Sequence, residues 1–259
     1  SPMQSLDSYA LVLGAIDQMH RASFREFEHA KRMLVYLCGK EPRNPTPQAW
    51  LAKWYVLKLA QGWSLDRTGD TQKAEAASSC ALTLDSTNSL GLCMDGLIEA
   101  YMKRNLATAG ERYQSALASN PNESLAWLFQ STLHSYAGRG GQAAEAAEFA
   151  NRLSPIDPLK YFYHSLAATA VLADSQYERA VQLCQASLKL NRLHTSTLKT
   201  LTIALALGGN AAGARDALAQ LVAIDPKFSV QSFLDQYPGS DNDRAGKYAD
   251  ALREAGAVE

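Results

Sequence analysis

A chain of 259 residues that is 47% hydrophobic and 20% charged can bury a sizeable core, and with only 9 prolines and 16 glycines it falls outside the disordered and fibrous classes. Its 25 basic and 26 acidic residues leave a formal charge of -1, which excludes the long-range field that would gather nucleic acid or an anionic membrane. No apolar run approaches the roughly 20 residues that a membrane-spanning helix needs, so an ordered, soluble protein is expected.

In chain order, Ser1-Pro2-Met3 has the form of a cleaved tag joined to a start site, and predicts that a longer parent protein was cut here. A helix is predicted from Leu6 to His20. Its partner has Ala30 near its start and Pro42 just past its end, giving an N-terminal helix pair over 1–44. Five further pairs are predicted over 45–226. Their second helices open on Ala74, Ala109, Ala143, Ala180 and Ala214, separated by 35, 34, 37 and 34 residues. They stop at Ser86, Pro121, Pro155, Arg192 and Pro226, with the same separations. The longer step of 44 residues from Ala30 to Ala74 is assigned mainly to an extended hairpin over Gln61–Asp70. Turns inside the hairpins are expected at Gly69, Asn105, Gly138 to Gly141, Asp174 and Gly208-Gly209-Asn210, where glycine or a short polar side chain permits a left-handed backbone. Residues 227–259 depart from the period and are expected to cap the array, with Asp241 to Ala257 as an amphipathic, charged helix.

A period of this length has a physical cause. A two-helix hairpin hides one face of each helix, so it must stack on a neighbour to complete its core. Trp127 and Tyr161 stand six residues after the preceding terminator, as do Leu92 and Leu198, while Trp50 stands eight after Pro42. The second helix keeps an aromatic at Tyr113 but carries Ser78, Ala147, Cys184 and Leu218 at that place in the other copies. This pattern resembles the tetratricopeptide repeat family over nearly the whole chain. The resemblance implies an all-α fold: a right-handed superhelical solenoid of antiparallel helix pairs, about six degenerate repeats and a C-terminal capping helix. The tail, with Phe228-Ser-Val, Phe233-Leu, Tyr237-Pro and Tyr248-Ala-Asp-Ala-Leu-Arg-Glu-Ala-Gly256, resembles the C-termini of bacterial tetratricopeptide regions attached to class III adenylate or guanylate cyclase domains. Related regions follow winged-helix DNA-binding domains. Neither a cyclase's metal-binding aspartates nor a winged helix can be placed in these residues, so the resemblance implies a regulatory arm.

The side chains that could carry chemistry do not assemble into a site. His20, His29, His134, His164 and His194 include no pair at i, i+3 or i, i+4, so no helical metal chelate is predicted. Gly138-Arg-Gly-Gly141 lacks the preceding strand and the Lys-Ser/Thr of a phosphate loop, and reads as an inter-helix turn. Glu26, Glu28, Asp241 and Asp243 have no opposed carboxylate to share acid/base work. Cys38, Cys80, Cys93 and Cys184 lie far apart without paired spacing and are expected to be reduced core thiols of a cytoplasmic protein.

What remains is the inner groove that the resemblance implies, lined by first-helix positions one, five and eight after the Trp place. Those positions give Leu51, Tyr55 and Lys58; Cys93, Leu97 and Ala100; Leu128, Thr132 and Ser135; Phe162, Leu166 and Thr169; Lys199, Ile203 and Ala206. The candidate partner site is Leu51, Tyr55, Lys58, Leu97, Leu128, Thr132, Phe162, Leu166, Lys199 and Ile203. No Asn stands at the middle positions, which argues against a clamp for a peptide's terminal carboxylate. A mostly apolar groove either receives an amphipathic helix of a partner, is filled by the helix from Leu6 to His20, or is closed as core by tight curvature. The cluster Trp50, Trp54, Tyr55 and Trp63 admits an interface or inter-repeat packing.

The sequence therefore predicts no catalytic residue, no metal and no cofactor. It predicts a non-catalytic protein–protein interaction module, the sensor or scaffold arm of a bacterial signalling protein such as a nucleotide cyclase. The alternatives are the arm of a winged-helix transcriptional regulator and a helical-repeat enzyme with an unrecognised site. The expected partner is a protein or peptide, a linked effector domain or a second copy of the chain, and not nucleic acid or a membrane.

Overall fold

The computed structural model describes residues 6–19, 23–60, 63–157, 159–238 and 242–259. Ser1-Pro2-Met3, His20, Gln61, Gly62 and Asp241 lie outside them. The described residues form fourteen helices and no strand. Two compact units divide at Ala126 and Trp127. Unit 1 holds α1 (Leu6–Met19) paired with α2 (Phe24–Lys40), α3 (Pro45–Ala60) with α4 (Arg67–Leu84), and α5 (Ser89–Tyr101) with α6 (Leu106–Ser119). Helix α7 (Ser124–Tyr136) starts at the boundary. Unit 2 continues with α8 (Gly140–Leu153), α9 (Lys160–Ala173), α10 (Tyr177–Leu190), α11 (Thr195–Leu207) and α12 (Ala211–Ile224), followed by α13 (Val230–Gln236) and α14 (Asn242–Glu254).

The alternating roles of the helices follow from their sequences. Second helices bury a narrow stripe headed by alanine: Ala30, Ala74, Ala109, Ala143, Ala180 and Ala214 are each 0% exposed. At that crossing a methyl group lets two backbones meet, and a larger side chain would hold them apart. First helices α3, α5, α9 and α11 are buried on more of their surface because each packs on its own partner, on the second helix before it and, for α3 with α5 and α9 with α11, on another first helix. Helix α5 accordingly buries Leu92, Cys93, Met94, Leu97, Ile98 and Ala100 around most of its circumference.

The terminator column is the turn between pairs. The residue before each terminator, Glu41, Asp85, Asn120, Ser154, Asn191 or Asp225, caps its helix by donating its backbone N–H to the carbonyl four residues back. Side-chain oxygens of Asp85, Asn120 and Asn191 accept the N–H two residues on, at 3.0, 3.1 and 3.1 Å. These local turns let Ser86 and Arg192 replace proline, because the polar residue before them already bends the chain.

Two of the turns within hairpins, at Gly138 and Gly209, fall on residues expected from the sequence, and two lie one residue away from Asn105 and Asp174. The left-handed positions are Arg104, Gly138, Ser175 and Gly209, with φ of 56, 75, 60 and 80°. Asn105 is the N-cap of α6 and Asp174 the C-cap of α9. Gly69 lies in the first turn of α4, where its N–H donates to Asp66 Oδ1 at 2.9 Å, and Gly140 and Gly141 already belong to α8. The long step after Ala30 is shared: α3 and α4 run to 16 and 18 residues, against 13 and 14 for α5 and α6.

Candidate binding surface

In unit 1 the face of α3 carries Leu51, Tyr55 and Lys58. Leu51 is half-buried, and Tyr55 and Leu97 are both 7% exposed. Lys58 does not project as an isolated cation. Its Nζ donates to Asp70 Oδ2 at 2.8 Å, and Ser64 Oγ donates to the same oxygen at 2.8 Å. Burial pushes the Asp70 carboxyl up, but the Lys58 and Ser64 bonds, with Lys73 beside them, outweigh it and hold the group below the ordinary carboxylate range. Lys31 of α2 stands over Trp54 and Tyr55, 4.8 and 5.3 Å from the ring centroids. Trp54 is fully buried, stacks on Phe27 at 4.6 Å and donates its indole N–H to the Phe27 carbonyl at 2.8 Å; Trp63 meets the edges of Phe24 and Phe27. Trp54 and Trp63 are thus packing between α2, α3 and the following loop, while Trp50 lies under Lys53, 4.6 Å from its Nζ, and keeps part of its surface.

In unit 2, Leu128 and Thr132 are 0 and 2% exposed, and the Thr132 hydroxyl is spent on the Phe129 carbonyl. Phe162 is half-buried against Phe129, Leu166 is 7% exposed, and Ile203 is 3% exposed. Lys199 lies with its Nζ 5.7 Å from the ring of Phe228, in the tail. Of the ten candidate residues, Leu51, Lys58, Phe162 and Lys199 keep part of their surface, while the other six are packed.

The tail accounts for part of that packing. Helix α14 lies on α11, and Tyr248, Ala249, Ala251, Leu252 and Ala255 share one apolar cluster with Ile203, Leu198, Val171 and Leu172. Arg244 Nη1 donates to the Ala173 carbonyl at 2.7 Å, and Lys247 Nζ donates to the Tyr177 hydroxyl at 3.1 Å. Tyr237, just past α13, meets Tyr136 of α7 at 5.5 Å and Tyr248 at 6.2 Å. The Val230 N–H donates to the Val258 carbonyl at 2.8 Å and ties the start of α13 to the end of the tail. The tail is therefore not only a lid on the last repeat: Val222 and Ile224 of α12 stay 40 and 36% exposed, while α14 seals the side of α11 and reaches the end of α9. The helix that begins at Leu6 pairs with α2 and touches α3. The tail's role escaped the sequence reading because its aromatics, Phe233, Tyr237 and Tyr248, are spaced like any amphipathic cap and carry no mark of where they land.

No group of three His, Cys, Asp or Glu side chains among the described residues is placed to hold a metal ion, and no helix among them is long and apolar enough to cross a membrane. Cys93 and Cys184 are buried, and Cys38 and Cys80 half-buried. Burial pushes the Cys38 thiol up to about 11, with the nearby Cys80 adding to the rise, and raises Cys93 and Cys184 further, so none of these three is a ready thiolate nucleophile. What this surface offers is shape and apolar contact.

Solved structures resemble the fold. The Cut9–Hcn1 hetero-tetramer of the APC/C contains a chain that superposes with a TM-score of 0.67 at 14% identity, over 96% of this chain and 46% of that one. PilW, a type IV pilus biogenesis factor, gives 0.57 at 20% identity over 82 and 90% of the two chains. TTC0263, a thermophilic TPR protein of Thermus thermophilus, gives 0.55 at 16% identity over 81 and 99%. This chain has the TPR fold. No model of a protein family matches the sequence and no curated protein is similar to it. In these TPR pairs the second-helix aromatic survives at Tyr113, and Ser78, Ala147, Cys184 and Leu218 stand at that place in the others.

Proposed function

We propose that this chain is a non-catalytic protein-binding module, the scaffold or sensor arm of a signalling protein, which holds a helical partner segment along the faces of its first helices. One observation supports this most. The chain's own α14 already lies on α11 as an amphipathic helix, with Ala245, Tyr248, Ala249 and Leu252 turned inward and Asp250, Arg253 and Glu254 outward. A surface that accepts one helix through small and large apolar residues at i, i+3, i+4 and i+7 is suited to helix-in-groove recognition. Cut9, which shares the fold, stands in a hetero-tetramer with Hcn1. In unit 1, Leu51 stays accessible beside Tyr55 and gives a partner helix an apolar anchor. In its fuller form the reading makes this region the arm of a linked effector such as a nucleotide cyclase, and a partner regulates it only by preferring one state of the effector.

The test is site-specific photo-crosslinking in cells, with the reactive residue at Leu51 or Phe162 and, as controls, at the exposed Arg32 and Gln220. A defined protein adduct at either of the first two positions and at neither control is the expected result. Adducts confined to the controls, or turnover of a substrate by the purified chain, would sink the proposal.

A further inference from the structure

We propose that α14 is an exchangeable occupant of unit 2, a strap that holds the α9–α11 surface closed and yields to a partner helix of its own chemistry. This rests on the protein-binding reading above and names the chemistry of the partner: a helix with a small residue, then an aromatic at i+3, a small residue at i+4 and leucine at i+7.

The join between α14 and the repeats combines an apolar face with polar bonds at the helix's N-terminal end. Its inward face is Ala245, Tyr248, Ala249, Ala251, Leu252 and Ala255, so two large side chains and four methyl groups make the apolar contact. At its N-terminal half the contact is not closed. A cleft of about 230 Å³ lies between α14 and the ends of α9 and α11, walled by Leu172, Leu207 and Tyr248 on its apolar side and edged by Arg244 and Lys247. The cleft is open to solvent, and along its edge polar tethers hold the helix beside the apolar contact. The tethers are Arg244 to the Ala173 carbonyl and Lys247 to the Tyr177 hydroxyl. Lys247 is itself exposed, so water can compete for its bond, and the opposite face of α14 is charged. Beside the cluster it shares with α14, the pairing of α9 to α12 has one without it, made by Ala168, Cys184, Leu201 and Ala217. The surface beneath α14 thus has a framework of its own, and an amphipathic helix of matching spacing can take the strap's place.

Two measurements on the full chain test this. In native-state hydrogen exchange, the amides of α14 are expected to exchange at least about tenfold faster than those of α10, and about tenfold faster again in Arg244→Ala/Lys247→Ala, with α10 unchanged. A fluorescent peptide of residues 242–259 is expected to bind the double variant about tenfold more tightly than wild type, where the attached helix competes, and a peptide carrying Leu252→Asp is expected not to bind. Exchange of α14 in step with α10 would show a permanent core helix and overturn the proposal. So would equal peptide affinity for both proteins, or none for either. Both readouts use only this chain's own segments, so they stand apart from the crosslinking result that decides whether a foreign partner binds at all.

Discussion

Gly96 and Tyr113 show one residue's size being answered by another's. A Cβ added at Gly96 would lie 2.5 Å from Tyr113 Cε1 and 3.1 Å from Arg112 Cβ. The same first-helix place, four residues after the Trp column, is Trp54, Gly96, Ser131, Ser165 and Thr202, while the second helices bring Ser78, Tyr113, Ala147, Cys184 and Leu218. The largest residue of one column stands in the same repeat as a small residue of the other, twice over. Gly96→Ala is therefore expected to cost about 1–3 kcal/mol, and Tyr113→Leu in the same chain to recover part of it, read as a double-mutant cycle by urea denaturation. At Gly140 the obstacle is the backbone carbonyl of Ala173, 2.6 Å from an added Cβ, so no side-chain change is expected to rescue Gly140→Ala. A second residue-scale prediction concerns pH. His194 is buried, its Nδ1 is 2.6 Å from Thr197 Oγ1, and burial, with Lys199 adding to it, lowers its pKa to about 4. The unfolded chain binds this proton near pH 6.5 and the folded chain only near 4, so the stability is present above 6.5 and lost as pH falls toward 4. The loss is on the order of a few kcal/mol, and His194→Gln is expected to flatten the dependence of Tm on pH across that window.

At the scale of the helix pair, the period of 34 to 37 residues was legible because it is written twice, in the alanine column and in the terminators. The hairpin turns were legible as well, to the residue at Gly138 and Gly209 but one residue out at the two turns without glycine. Asn105 and Asp174, expected at two of these turns, lie one residue from the left-handed Arg104 and Ser175; Asn105 caps α6 with its side chain, and Asp174 ends α9. An arginine at φ 56° hides the turn from any reading based on glycine and asparagine. Non-glycine residues pay about 1 kcal/mol or more for this backbone region, so Arg104→Gly and Ser175→Gly are each expected to stabilise the protein by about 0.5–1 kcal/mol. Calorimetry should show Tm rising by roughly 1–4 °C per substitution, and a fall would mean that the side chain, not the backbone, decides these turns.

Over the whole chain, helix content and repeat fold follow from local spacing, since each pair is written in its own stretch of 34 to 37 residues. The tail's destination is not local. Arg244 meets Ala173 across 71 residues and Tyr237 meets Tyr136 across 101, and no spacing rule carries information that far. For the same reason the groove positions inferred from the family's pattern did not foretell that Ile203 would share a cluster with Tyr248 and Leu252. These long ties give a prediction at their own scale. In Tyr237→Ala the amides of α7 are expected to exchange about fivefold faster although α7 itself is unchanged, and unaltered α7 rates would show that the aromatic contact transmits nothing.

An array whose pairs touch only their neighbours unzips from an end, one hairpin after another, at a low and repeating force. The returning tail changes how unit 2 bears load. Tension applied beyond Gly256 does not reach α12 first; it must pull the Val258 carbonyl from the Val230 N–H and shear Tyr248 and Leu252 out of the α11 cluster. Unit 2 is thus built to answer a pull with one rupture at the tail and to release its hairpins only afterwards, as a mechanical fuse does.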